Sequence, residues 1–257
     1  MNVVEAYIKF NGQLVILISG MSGSGKSSLA KEIARDFKIT HINGNKYCNP
    51  KYDVKVKLPN GDDIINWDSD DIYDWKTMNE DIKASAAKGV VVSNVSFPKD
   101  KMQIESNFHL HIKLGKQNLF KRRTEYLDDH KEDCQTSGRN LDKELELLIL
   151  NKYTLPYYFE LVPKMVITKY INANEMMNDI DKYHDKLYDE AFDYLINQIQ
   201  KYLDEKNGIK QKTDNVSRYR MQSRNIDHEE PSSDSSDGEG DDLDTTSDNL
   251  SDNGYML

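Results

Sequence analysis

The 257-residue sequence is short of the residues that staple small secreted domains. It has two cysteines, Cys48 and Cys134, too few for a disulfide framework and without metal-ligand spacing. A reduced, intracellular protein is therefore expected. No apolar run is long enough to cross a bilayer. The first residues lack the basic region, apolar run and small-residue cleavage site of a secretory signal. The expectation is a soluble, cytoplasmic protein with no membrane partner.

Basic residues are missing from one end. From Ile226 to Leu257 there are 11 acidic residues and no Lys or Arg, although the whole chain carries a formal net charge of −10. The remainder holds 33 acidic against 34 basic residues, so the body is close to neutral. It has no extended basic arm, and no nucleic-acid partner is expected. Glu229 to Asp252 also lacks apolar residues almost entirely, so it cannot bury enough surface to offset the entropy of ordering. The chain divides into a domain over residues 1–205 and an acidic, Ser/Asp-rich disordered tail over 206–257. Composition does not set the oligomeric state.

Glycine and proline are scarce, at 13 and 6 residues, so where they fall is informative. Asn11-Gly12 sits between two apolar stretches and predicts a hairpin turn joining two strands between Ala6 and Ser19. Leu14 to Ile18 is continuously apolar, as a strand buried on both faces should be. Ser27 to Phe37 predicts a helix with Leu29, Ile33, Ala34 and Phe37 on one face. Further strands are expected near Ile39 to Ile42, Val90 to Val95, His109 to Leu114 and Met165 to Ile171. Helices are expected over Asp74 to Lys88, Lys116 to Asp128, Leu141 to Lys152 and about Asn174 to Leu203. Val54, Val56 and Leu58 alternate with polar residues before Pro59-Asn60-Gly61, predicting an inserted hairpin over about 51–68. Strands alternating with helices imply an α/β fold with a parallel sheet covered on both faces.

Three glycines cluster in Gly20-Met21-Ser22-Gly23-Ser24-Gly25-Lys26-Ser27, which fits the phosphate-loop pattern G-x-x-x-x-G-K-[ST]. The chain must leave a buried strand, curl around a phosphate and enter a helix. Glycines let backbone N–H groups approach phosphate oxygens, and the helix N-terminus adds partial positive charge. Gly20, Ser22, Gly23, Ser24, Gly25, Lys26, Ser27 and Ser28 are the expected nucleotide-binding set. Lys26 would bring a full charge to the outer phosphates of ATP, and the Ser27 hydroxyl would ligate Mg2+.

The loop with its continuation, GMSGSGKSSLA, resembles the first motif of the uridine kinase-like group of P-loop kinases, which includes uridine, nicotinamide riboside and phosphoribulose kinases. NWDSDDIYDW, Asn66 to Trp75, is similar to that group's acceptor-site segment. Val90 to Asp100 is placed like its central strand, and Leu119 to Asp129 resembles the Arg-rich start of its lid. The resemblance covers roughly residues 13 to 190. It implies a nucleoside-monophosphate-kinase-like fold with a mobile lid over about 122–140, and ATP-dependent transfer of a phosphoryl group to a hydroxyl of a nucleoside or similar small molecule. By the same resemblance Asp68 would hold the substrate hydroxyl, Asn45, Tyr47 and Trp67 would line the acceptor pocket, and Arg123 would act with Lys26 on the transferred phosphoryl. Arg122 and Arg139 are further lid candidates. Trp67 and Trp75 also suit core packing, and Asp74 suits a helix cap.

The sequence departs from the group in informative places. The Asp that accepts the hydroxyl proton in the group falls at Asn45, with Asn43 as the alternative alignment, and an amide is no general base near neutral pH. The second lid Arg is replaced by Tyr126, and the Pro of the acceptor segment by Asp70. Ser93 and Asn94 end the central strand where a carboxylate for magnesium would stand. These departures leave a second reading, a degenerate P-loop protein that binds ATP in a non-catalytic or regulatory role.

Overall fold

The computed structural model describes residues 2–58, 61, 63–129 and 143–208. The tail beyond 208, the Pro59-Asn60 part of the expected hairpin turn, and most of the expected lid loop with Arg139 lie outside the described residues.

Five strands form one parallel sheet in the order β2-β5-β1-β6-β7. These are β1 (Val15–Gly20), β2 (Thr40–Asn43), β5 (Val90–Asn94), β6 (Phe108–Lys113) and β7 (Lys169–Asn172). Strand β1 lies in the middle, with β5 on one side and β6 on the other. Its carboxyl end is therefore the point where the connections diverge, the usual place for a ligand in an open α/β sheet. A separate two-stranded hairpin, β3 (Lys55–Lys57) and β4 (Asp63–Ile65), occupies the inserted segment.

All six residues of β1 are buried, which explains its unbroken apolar sequence. Alternate side chains serve two cores. Ile16 and Ile18 face one side, with Leu29, Ile33 and Phe37 of helix α2 (Lys26–Phe37) and Leu187, Phe192 and Leu195 of helix α7 (Tyr183–Lys206). Val15 and Leu17 face the other, with Val90, Val92, and Met78 and Ile82 of helix α3 (Trp75–Ala86). Burying each of these large side chains contributes about 1.5–3 kcal/mol. Asp74 caps α3, its carboxylate accepting from the Thr77 backbone N–H at 3.0 Å. Helix α4 (Lys116–Asp129), helix α5 (Lys143–Ile149), a wide π turn over Leu150–Thr154 and helix α6 (Leu155–Leu161) meet in a third, smaller cluster where Leu119 and Leu150 pack against Met21.

The structure corrects the N-terminal expectation. Val3–Asn11 is helix α1, not a strand, and Asn11-Gly12 is its exit rather than a hairpin turn. Gly12 has φ 83° and its N–H returns to the Ile8 carbonyl, the left-handed helix cap that glycine adopts without a Cβ penalty. Asn2 and Glu5 close the other end reciprocally, at 2.8 and 3.0 Å. Tertiary packing completes the preference: Val4 and Tyr7 are buried one turn apart, and the Tyr7 ring packs tilted against Tyr202 of α7 with centroids 4.8 Å apart. The last strand also begins later than expected, at Lys169.

Candidate active site

The phosphate loop joins β1 to α2 as the pattern requires. Gly20 sits where a side chain would not fit: a Cβ there would meet Ser24 Oγ at 2.8 Å and the Ile112 carbonyl at 3.0 Å. Gly25 precedes the first turn of α2 at φ 86°, and no side chain caps that helix end. Its first N–H groups are therefore left for a ligand. Ser24 Oγ is buried without a hydrogen-bond partner. An orphaned hydroxyl inside a glycine-rich turn at a helix N-terminus fits a bound polyphosphate.

Lys26 lies within the same turn, its Nζ 3.5 Å from the Met21 carbonyl. Burial, and secondarily the nearby Arg123 charge, pulls its pKa down to about 8. Ser27 is half-buried and Ser28 exposed on the first turn of α2. Among the described residues no group of three or more His, Cys, Asp or Glu could hold a metal ion. Any magnesium at this site would take Ser27 and the oxygens of a nucleotide and water, the usual manner for that ion.

Helix α4 brings two arginines over the loop. Arg122 Nε donates to the Gly23 carbonyl at 2.6 Å, and its guanidinium lies over the Tyr183 ring at 4.1 Å. Arg123 is buried, and its Nε and Nη2 both meet Glu146 Oε1 of α5 at 2.5 Å. Its Nη1 is buried without a partner. A guanidinium held by one carboxylate, with a free N–H beside the phosphate loop, is prepared for an anion.

Asp68 also borders the loop. It lines a narrow cleft with Met21, Ser22, Val95, Thr154, Tyr157 and Tyr158, which as it stands admits only a water-sized group. Thr154 Oγ1 donates to Asp68 Oδ2 at 2.9 Å. Burial raises the Asp68 pKa, while the Thr154 hydrogen bond and the Arg123 charge act in the opposite sense. The π turn that carries Thr154 lies just before Pro156, which has no N–H to return to the preceding turn.

The other expected acceptor residues do not converge on that cleft. Tyr47 donates to Asp81 Oδ2 at 2.6 Å and lines an open groove with Lys46, Cys48, Asn49, Tyr73 and Asp74. Burial, followed by that carboxylate, raises its pKa. Asn45 is half-buried in a single turn after β2, where its N–H bonds Asn43 Oδ1 at 3.1 Å. Trp67 packs against the second core, and Trp75 donates to the Asp70 carbonyl at 2.7 Å.

Several groups at the site escaped sequence reasoning. Glu146 stands with Glu144 in the first turn of its helix, where acids are common, so nothing in the sequence marks it or names its partner. Asn94, singled out in the sequence at the end of the central strand, is buried there, and what the sequence did not show is its unpartnered Oδ1, with Gly44 packed so close that a Cβ there would fall 2.7 Å from that oxygen. His109 and His111 project from β6 on the same face as Ser19 of β1, whose hydroxyl bridges them at 2.7 Å to each. Two histidines spaced by one residue in an apolar strand were the signal for that arrangement.

No protein-family model matches the sequence, and no curated protein matches it. Solved structures give low-identity similarities. A provisionally assigned fructose transport system kinase from a Silicibacter species has a TM-score of 0.44 and 11% identity, over 66% of this chain and 99% of that one. A gluconokinase from Sinorhizobium meliloti has a TM-score of 0.37 and 12% identity, over 70% and 97%. A shikimate kinase from Bacteroides thetaiotaomicron has a TM-score of 0.39 and 16% identity, over 70% and 98%. The strand order and the loop between β1 and α2 make the chain itself a P-loop α/β fold with a nucleoside-monophosphate-kinase-like sheet.

Proposed function

We propose that the protein is an ATP-dependent phosphotransferase acting on a hydroxyl of a nucleoside or similar small molecule. The observation that carries this reading is Arg123. Its buried guanidinium is braced by Glu146 and keeps one N–H unpartnered, beside a loop that holds Lys26 and an orphaned Ser24 hydroxyl. Phosphoryl transfer asks the protein mainly for position and positive charge. Lys26 and the loop N–H groups would hold the outer phosphates. Arg123 would meet the charge on the moving group. Magnesium, held through Ser27, would neutralise phosphate oxygens. Asp68, in the adjoining cleft, would orient the acceptor hydroxyl and is the carboxylate placed to take its proton.

The test is to follow ADP release with ATP and magnesium across a panel of nucleosides, sugars and vitamin alcohols. Acceptor-dependent ADP release is expected. No release with any acceptor, alongside measurable ATP binding, would favour the second reading, a degenerate P-loop protein in a regulatory role. Amides at Asn45 and Asn94, where carboxylates would serve a kinase, favour that alternative. Asn45→Asp separates the two. A weakened kinase gains phosphorylation, on the order of 100-fold or more if the new carboxylate acts as base; a protein without acceptor chemistry gains nothing.

A further inference from the structure

One helical segment touches both sides of the candidate site. Helix α5, the Leu150–Thr154 turn and helix α6 follow each other without a break, and the Leu155 N–H returns to the Leu150 carbonyl five residues back. In its first turn Glu146 takes the Arg123 guanidinium at 2.5 Å. Leu150, further along, is buried with Met21 of the phosphate loop. Roughly 12 to 16 Å along the axis from Glu146, the same segment reaches the acceptor side. There Thr154 Oγ1 donates to Asp68 Oδ2 at 2.9 Å, and the Tyr157 O–H donates to Asp70 Oδ1 at 2.7 Å. The Tyr153 O–H donates to the Lys57 carbonyl of the hairpin at 2.7 Å. Tyr158 meets His111 Nε2 at 2.5 Å, which ties the segment to the sheet.

The acceptor stretch that these hydroxyls grip has little structure of its own. From Asn66 to Ile72 it holds no strand and no α-helix, only the short turn Asp70–Ile72, whose backbone bonds are long at 3.4 Å. Trp75 Nε1 steadies it from its own C-terminal side, donating to the Asp70 carbonyl at 2.7 Å. The carboxylates of Asp68 and Asp70 are held by Thr154 and Tyr157. At the other end of the helical segment, Arg123 gives Nε and Nη2 to Glu146 and keeps a buried Nη1 without a partner. A guanidinium is planar and rigid, so a phosphate oxygen taken on Nη1 also fixes the carboxylate on the other edge.

We propose that Tyr157 and Thr154 are positioning residues for Asp68, and that the segment carrying them makes the acceptor carboxylate answer to the nucleotide. Bound phosphates steady Arg123, Arg123 steadies Glu146, and the helical segment passes that order to Asp68 and Asp70. The coupling needs no large movement, because ordering one end of a shared element lowers the cost of ordering the other. The proposal rests on the kinase reading for what Asp68 does. Its physical content, nucleotide-dependent order in a segment that the nucleotide does not touch, is measurable without knowing the acceptor.

Hydrogen exchange on the whole protein tests it, with and without a non-hydrolysable ATP analogue and magnesium. In the unaltered chain the analogue should slow exchange over Asn66 to Ile72 by roughly threefold or more. Tyr157→Phe should keep the affinity for the analogue within about twofold and abolish that slowing, so the segment exchanges equally fast in both states. Thr154→Val is the second variant, with the same expectation. A tether with a purely structural role would speed exchange in both states and leave the nucleotide-dependent ratio unchanged, and that result in both variants overturns the assignment. Slowing confined to the phosphate loop, α2 and α4 overturns it as well. No binding of the analogue removes the proposal together with the phosphate-loop reading. Slowing over Asn66 to Ile72 without acceptor-dependent ADP release supports the coupling and counts against the kinase reading alone.

Discussion

The two sides of the candidate site are built differently. The donor side is a single stretch, Gly20 to Ser27, whose conformation is fixed by the strand before it and the helix after it. The acceptor side is assembled from places far apart in the chain: Asp68, the continuous Leu150–Thr154 turn and start of α6, and the buried faces of β1 and of β6. The first is local chemistry, which a motif can specify. The second depends on which elements pack together.

Perturbing one member of each side tests this contrast. On the donor side, Lys26→Ala should lower turnover by about 100- to 1,000-fold, since it removes one preorganised charge from the transferring phosphates. Unchanged ATP affinity and activity in that variant would remove the phosphate-loop reading altogether. Between the two sides, Glu146→Ala leaves the buried Arg123 charge uncompensated and should cost about 3–5 kcal/mol in urea unfolding. ATP with magnesium should recover part of that loss, because phosphate can replace the missing carboxylate. A loss of equal size with and without nucleotide would show that Arg123 does not face the phosphates.

The acceptor side should respond to acid. Burial lowers the pKa of His109 to about 4 and of His111 to about 3, the latter helped by the neighbouring His109 and Lys113. Both lie below the unfolded value of about 6.5, so below that pH the unfolded chain binds more protons. Stability therefore falls as pH drops from about 6.5 toward 4, on the order of 2 kcal/mol per histidine by pH 4.5. Urea midpoints at pH 7, 5.5 and 4.5 measure it, and His111→Phe should flatten the dependence. A smaller effect returns to the donor side. With the Lys26 pKa near 8, this residue is mostly neutral at pH 8.5 in the empty site. Nucleotide phosphates favour its charged form, so ATP binding at that pH should take up roughly three quarters of a proton. Calorimetry in buffers of differing ionisation enthalpy reads this uptake, which Lys26→Met should abolish.

Legibility followed the same division. Apolar runs and helical spacing located the sheet strands and α2, α3 and α4, because burial leaves a periodic trace. The N-terminus was misread because Asn11-Gly12 suits a hairpin and a helix exit equally, and the Asn2–Glu5 capping box together with the contact between Tyr7 and the distant Tyr202 favours the helix. Asp68 and Arg123 were nameable from their segments. Glu146, Thr154 and Tyr158 were not, since each acquires its role from a partner more than 20 residues away.

By itself the sequence determined the phosphate loop, since glycine spacing and one lysine dictate a local backbone shape and its charge. It also placed amides at Asn45 and Asn94. Tertiary structure alone decided that Arg123 is braced by Glu146, that Tyr47 and Asp68 line different clefts, and that His109, Ser19, His111 and Tyr158 form one hydrogen-bonded chain. The physical reason is that a hydrogen bond needs two groups within about 3 Å and correctly aimed. For residues far apart in the chain, only packing supplies that placement.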